Sequence, residues 1–155
     1  MRLTSDFWAA AFIRSVFAGG GFAYLARRGA EEAGALFLQQ TLEPQTLAPE
    51  TLGPPALPPA EAEAGRAQYA LYGPAPQSFY LGEAEGAAAA GGDRLFIELL
   101  RGSGAEIAAR LEREENFDPD IWLIEVENFP DLRHAANLRL VAPPAAAAGR
   151  NICGR

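Results

Sequence analysis

Four carboxylates fall within ten residues of one another: Asp118 and Asp120 on either side of Pro119, then Glu125 and Glu127. Converging carboxylates can hold Mg²⁺ or Mn²⁺ for hydrolysis. Glu125 and Glu127 follow the apolar run Ile121-Trp122-Leu123-Ile124, which reads as a strand. Two strand positions apart, they share a face but are separated by about 6.5–7 Å along the backbone. They meet at one ion only if Asp118 or Asp120 folds back to join them, and Pro119 restricts that turn. The same residues also have a purely structural account. Asp118-Pro119-Asp120 is turn chemistry, and the glutamates are the solvated end of an edge strand.

Two further groups could recognise a ligand. Arg27-Arg28 could clamp a phosphate or carboxylate, although on a strand the two point to opposite faces. Their structural role would be pairing with Glu31, Glu32 or the acidic C-terminal half. Tyr72-Gly73-Pro74-Ala75-Pro76-Gln77 reads as a rigid loop, suited to recognition or simply to ending a strand. The candidate binding residues are therefore Arg27, Arg28, Tyr72, Gln77, Asp118, Asp120 and Trp122.

Other chemistry is excluded by absence. The chain has no lysine, one histidine (His134) and one cysteine (Cys153). Zinc sites need several His or Cys ligands, and nucleophilic triads need a positioned imidazole. Schiff bases and phosphate-binding P-loops need lysine. Gly19-Gly20-Gly21 does not lead from a strand into a helix, so it is no dinucleotide fingerprint. No catalytic residue, metal or cofactor is expected, and neither His134 nor Cys153 is expected to carry function. A net charge of −7 argues against nucleic acid as a partner. Residues 1–30 hold four Arg and one Asp, whereas residues 83–131 hold thirteen acids and four Arg. These regions either pair within the fold or leave an acidic docking surface.

The elements that position these groups can be read from periodicity. Thr4, Ser5 and Asp6 are N-cap candidates before an apolar run in which Trp8, Phe12 and Val16 share a face, and the triple glycine ends that helix. The run Phe7–Phe17 is too short to cross a bilayer and carries Arg14, unlike a secretory signal. A cytoplasmic protein without a membrane partner is expected. Residues 22–28 and 35–40 read as two strands forming a hairpin, 68–72 as a third and 95–101 as a fourth, with a helix the alternative that its flanking glycines and Phe96-Ile97 disfavour. Ser103-Gly104-Ala105-Glu106 is a capping box opening a helix to about Asn116. Ile121–Glu127 is the clearest strand.

Three Thr-Leu-x-Pro pentapeptides begin at Thr41, Thr46 and Thr51. Their prolines block helix and central strand alike, giving a Pro-rich insertion over 41–65. Residues 82–92 form a Gly/Ala-rich loop, and 134–155 a weakly ordered tail. Residues 43–65, 83–92 and 142–155 are expected to lack regular structure. The result is one α+β domain over 1–133, in the order α-β-β-β-β-α-β. It is a two-layer fold with a mainly antiparallel sheet of about five strands, and Trp8 and Trp122 share its core.

The ordered segments also carry a resemblance. Its first elements are Arg2-Leu3-Thr4 with Phe7-Trp8, then Gly20-Gly21-Phe22-Ala23. Arg27-Arg28-Gly29 with Ala33-Gly34-Ala35, Tyr72 to Gln77, and Phe117 to Trp122 leading into Glu125-Val126-Glu127 follow in order. Together they resemble the small alphaproteobacterial proteins grouped as domain-of-unknown-function family 1491. The resemblance implies no activity, cofactor or catalytic residue. The Thr-Leu-x-Pro insertion and the C-terminal tail depart from the family pattern. The functional expectation is a non-enzymatic module that binds a protein partner or forms a homo-oligomer. The alternative is a divalent-metal-assisted hydrolase using Asp118, Asp120, Glu125 and Glu127.

Overall fold

The computed structural model describes residues 3–32, 34–42, 68–76 and 94–141. Gln77 and residues 43–65, 83–92 and 142–155, expected to be irregular, lie outside them, whereas Thr41 and Leu42 at the start of the Pro-rich insertion belong to the sheet.

Helix α1 (Ser5–Ala18) begins where the Thr4 side chain accepts from the Phe7 N–H and ends at Gly19. Gly20, at φ +86°, turns the chain into β1 (Phe22–Arg27). Then follow β2 (Ala35–Leu42), β3 (Gln68–Pro74), β4 (Arg94–Ser103), α2 (Gly104–Phe117), β5 (Ile121–Glu127), a 3-10 turn (Leu132–His134) and β6 (Leu138–Val141). The capping box at α2 is formed on both sides. Glu106 N–H donates to Ser103 Oγ, and Ser103 N–H donates to Glu106 Oε2 at 2.8 Å.

The strands form one six-stranded sheet in the order β1-β5-β2-β3-β4-β6. β1–β5, β2–β3 and β3–β4 are antiparallel, whereas β5–β2 and β4–β6 are parallel. The α+β class and mainly antiparallel sheet are as expected, but three details differ.

The first is the β1–β2 hairpin, which does not form because β5 lies between the two strands. The connection instead crosses the start of β5, and two glycines permit the close approach. A Cβ on Gly29 would meet Asp120 O at 2.8 Å, and one on Gly34 would meet it at 2.7 Å. β5 is therefore central, not an edge, and this suits its burial: Trp122, Ile124 and Val126 on one face, Ile121 on the other.

The second is layering. α1 packs on one face, in a cluster that joins Trp8, Phe12 and Val16 to Leu36, Leu38, Trp122 and Ile124. α2 packs Ile107 and Leu111 on the opposite face, against Phe37, Leu71 and Ile121. The order is helix, sheet, helix rather than two layers. Each face of β2 and β5 is apolar, so each needs a cover.

The third is β6. It falls in the segment expected to be weakly ordered, yet it pairs with β4 from Arg94↔Leu138 to Ile97↔Val141. Four residues give little periodic signal. Their order comes from the parallel ladder and from Trp8 Nε1, which donates to Asn137 O at 2.9 Å.

Both tryptophans are fully buried in the same cluster. Trp8 stacks on Phe12 with ring centroids 5.1 Å apart. Trp122 Nε1 donates to Ala30 O at 2.8 Å.

Candidate functional site

Beyond the part of the sheet that α1 covers, the same face opens into a groove of about 480 Å³. Its floor comes from β2 (Gln40, Leu42), β3 (Tyr72) and β4 (Glu98, Arg101). One wall is the segment Pro130–Arg133, and another is Leu140 and Val141 of β6.

Strand alternation puts Leu36, Leu38 and Gln40 on one face, so Gln40 stands where a core residue would. It is 4% exposed. Its amide Nε2 donates to Phe129 O at 2.6 Å and to Pro130 O at 3.4 Å, tying the wall to the sheet. Its Oε1 accepts from the Tyr72 hydroxyl at 3.3 Å. Each polar group has a partner, as burial requires.

Glu98 lies opposite Tyr72 in the β3–β4 ladder. Arg101 donates to it through Nε (3.2 Å) and Nη2 (2.8 Å), a two-point contact. Burial and the charge of Glu98 push the Tyr72 phenol above its ordinary range. The bond to Glu98 likewise raises the Arg101 guanidinium. At neutral pH the groove thus holds a protonated phenol beside a tight ion pair. In the wall, Asp131 Oδ1 accepts from the Arg133 N–H at 2.9 Å. The Arg133 guanidinium forms no ion pair among the described residues. This arrangement can bind a polar ligand. It offers no nucleophile–base pair.

Of the candidates read from the sequence, Tyr72 lines the groove and the other described ones do not. Arg27 pairs with Glu115 and donates to Pro119 O at 3.3 Å. Arg28 pairs with Asp6 at 2.9 Å and Glu31 at 3.1 Å, and lies 5.5 Å over the Trp122 ring. Asp118 Oδ1 accepts from the Asp120 N–H at 3.0 Å, an Asx turn. Glu125 accepts from the Tyr24 hydroxyl across the β1–β5 ladder. That hydrogen bond, helped by partial burial and the charges of Glu125 and Glu127, pushes the Tyr24 phenol up to about 12. Among the described residues, no three His, Cys, Asp or Glu side chains are placed to hold a metal ion. The hydrolase alternative therefore has no support in the structure. Nor is any described helix long and apolar enough to cross a membrane.

A second surface stands out at the opposite side of the sheet. β1 is an edge strand, and its Phe22 (46% exposed), Tyr24 (39%) and Leu25 (37%) face solvent, as does Phe17 (49%) at the end of α1. Phe17 packs edge-on against Phe22 at 5.3 Å, and Phe22 lies 6.0 Å from Tyr24. Sequence reasoning assigned neither this strip nor Gln40, Glu98, Arg101 and Arg133 to a site. Gln40 did leave a signal, as a polar residue on the apolar phase of a strand.

The comparisons with known proteins agree with this fold. A solution structure of a protein from A. tumefaciens is 39% identical, with a TM-score of 0.61, over 93% of this chain and 98% of that one. A crystal structure of a DUF1491 family protein from Caulobacter crescentus is 25% identical, with a TM-score of 0.55, over 91% and 99%. An NMR structure of a DUF1491 family protein from the same organism is 26% identical, with a TM-score of 0.56, over 93% and 99%. No curated protein matches the chain. The sequence profile of DUF1491, described as a protein of unknown function, matches residues 3–137, and the chain therefore belongs to that family.

Proposed function

We propose that the protein is a non-enzymatic self-assembly module that pairs with a second copy of itself along β1. The observation that carries this is the run of exposed aromatic and aliphatic side chains, Phe17, Phe22, Tyr24 and Leu25, on and beside an edge strand. Soluble proteins usually blunt such an edge with Lys or Pro. β1 has neither.

The distribution of charge along the strand suits a second copy, with Arg27 and Arg28 also paired within the chain to Glu115, Asp6 and Glu31. Glu127 and Glu125 sit opposite Phe22 and Tyr24 at its start, while Arg27 and Arg28 mark its end. A two-fold axis that runs β1 antiparallel to its own copy brings the acidic end of each chain to the basic end of the other. Phe22 and Tyr24 of the two copies then meet on one face of the new ladder, with Leu25 on the other.

The test is sedimentation equilibrium from micromolar to millimolar protein, on wild type and on the double variant Phe22→Lys, Tyr24→Lys. A wild-type dimer and a folded, monomeric double variant are expected. Wild type that stays monomeric, or a double variant that dimerises as well as wild type, overturns the reading. So does a monomer whose β1 amides shift only on adding an unrelated extended peptide.

A further inference from the structure

We infer that the groove beside Tyr72 binds a small organic anion, a carboxylate carried on an apolar body. The inference rests on which hydrogen-bonding groups are already committed. Both Glu98 oxygens accept from Arg101, and Asp131 Oδ1 accepts from the Arg133 N–H. The acceptors in the groove are thus largely occupied.

The donors are not. The Arg133 guanidinium has no ion pair among the described residues, and guanidinium matches carboxylate geometry with two parallel bonds. The Tyr72 hydroxyl is shared between Gln40 Oε1, at 3.3 Å and long for an O–H···O bond, and Glu98, so it is a secondary donor beside Arg133. Donors in excess select an anion. Leu42, Leu140 and Val141 give the groove apolar sides as well, which inorganic phosphate would leave unused. At about 480 Å³, the space lies in the range of small-molecule sites.

The groove is built as well as charged. Gln40 fixes the backbone of Phe129 and Pro130, holding the wall at a set distance from the floor. A buried amide here costs more than an apolar residue would unless it is satisfied, and its N–H donors are satisfied by this wall while its oxygen accepts from Tyr72. Gln40 therefore acts as a positioning residue, while Arg133 and Tyr72 contact the ligand.

The experiment is a ¹H–¹⁵N NMR titration of the full chain with benzoate, with inorganic phosphate and benzylamine as the comparison probes. Benzoate is expected to shift amides of residues 98–101 and 131–133 saturably, more strongly than phosphate, with benzylamine inactive. Arg133 is exposed, so Arg133→Ala leaves the fold intact and is expected to weaken benzoate about tenfold. Tyr72→Phe is expected to weaken it by a smaller factor. The β1 double variant is expected to bind benzoate like wild type, so this test and the self-assembly test fail independently. Absence of saturable shifts, benzylamine or phosphate binding as well as benzoate, or full affinity in Arg133→Ala overturns the inference.

Discussion

Trp122→Ala removes the largest side chain shared by the central strand and the α1 core. The indole is fully buried, its Nε1–H bonds to Ala30 O at 2.8 Å, and Arg28 lies over the ring at 5.5 Å. Truncating a buried tryptophan costs about 3–5 kcal/mol from lost transfer energy and the cavity left behind. Ala30 is exposed, so water replaces the lost donor and that bond adds only about 1 kcal/mol. The half-exposed Arg28 contact adds about 0.5 kcal/mol. A loss of about 4.5–6.5 kcal/mol compares with a total stability of roughly 5–15 kcal/mol for a domain. Urea unfolding measures it, followed by circular dichroism and by the fluorescence of Trp8, which sits in the same cluster. Trp122→Phe, which keeps much of the volume but not the N–H, separates the terms and is expected to cost about 1–2 kcal/mol. Should Trp122→Ala unfold within about 1 kcal/mol of wild type at an unchanged m-value, the account of a shared tryptophan core is wrong.

Gly34→Ala places a Cβ 2.5 Å from Trp122 Cδ1 and 2.7 Å from Asp120 O. It is expected to destabilise by about 1–3 kcal/mol, and an unchanged melting temperature would contradict the crossing of β5 by the β1–β2 connection. Bonds from the Ser103 backbone and hydroxyl depress the Glu106 carboxyl. Its contribution is therefore full above the ordinary glutamate range and fades as pH falls through the depressed value, so Glu106→Gln should flatten the acid limb of a stability–pH curve. The Tyr24 phenol, raised to about 12, should ionise nearer its ordinary value in Glu125→Gln, as read by ultraviolet titration. Its stabilising contribution is present below the ordinary phenol range and lost as pH climbs towards about 12, and a wild-type phenol titrating normally would refute the Tyr24–Glu125 bond.

Local chemistry was legible in the sequence, and long-range pairing was not. The stripe Trp8, Phe12 and Val16 specifies α1 and its buried face, and Ser103 with Glu106 specifies the start of α2. Each signal lies within one or two turns. The partner of β1 is a hundred residues away, and short spacing alone pointed to β2. The corrective clue was present in β5, where Ile121 and Leu123 on one face and Trp122, Ile124 and Val126 on the other call for a strand with neighbours on both sides. The groove was harder still, because Gln40, Tyr72, Glu98 and Arg133 become neighbours only once β2, β3 and β4 are aligned. Tyr72 was reachable from sequence as part of a restricted loop. Arg27, Arg28 and Asp118 attracted attention by residue type, and each has a partner within the fold.

The central place of β5 also sets the order in which the chain can acquire structure. β1 and β2 leave the ribosome early, yet neither touches the other, and the strand that joins them is made more than eighty residues after β2 begins. Until Ile121–Glu127 emerges, β1 has no strand to pair with, and β2 can pair only with β3. Closing so long a loop costs conformational entropy before any contact offsets it, which makes folding slow relative to a meander of the same size. During synthesis the aromatic edge of β1 is thus open on both sides, and β1 depends on the last third of the protein for its strand partner.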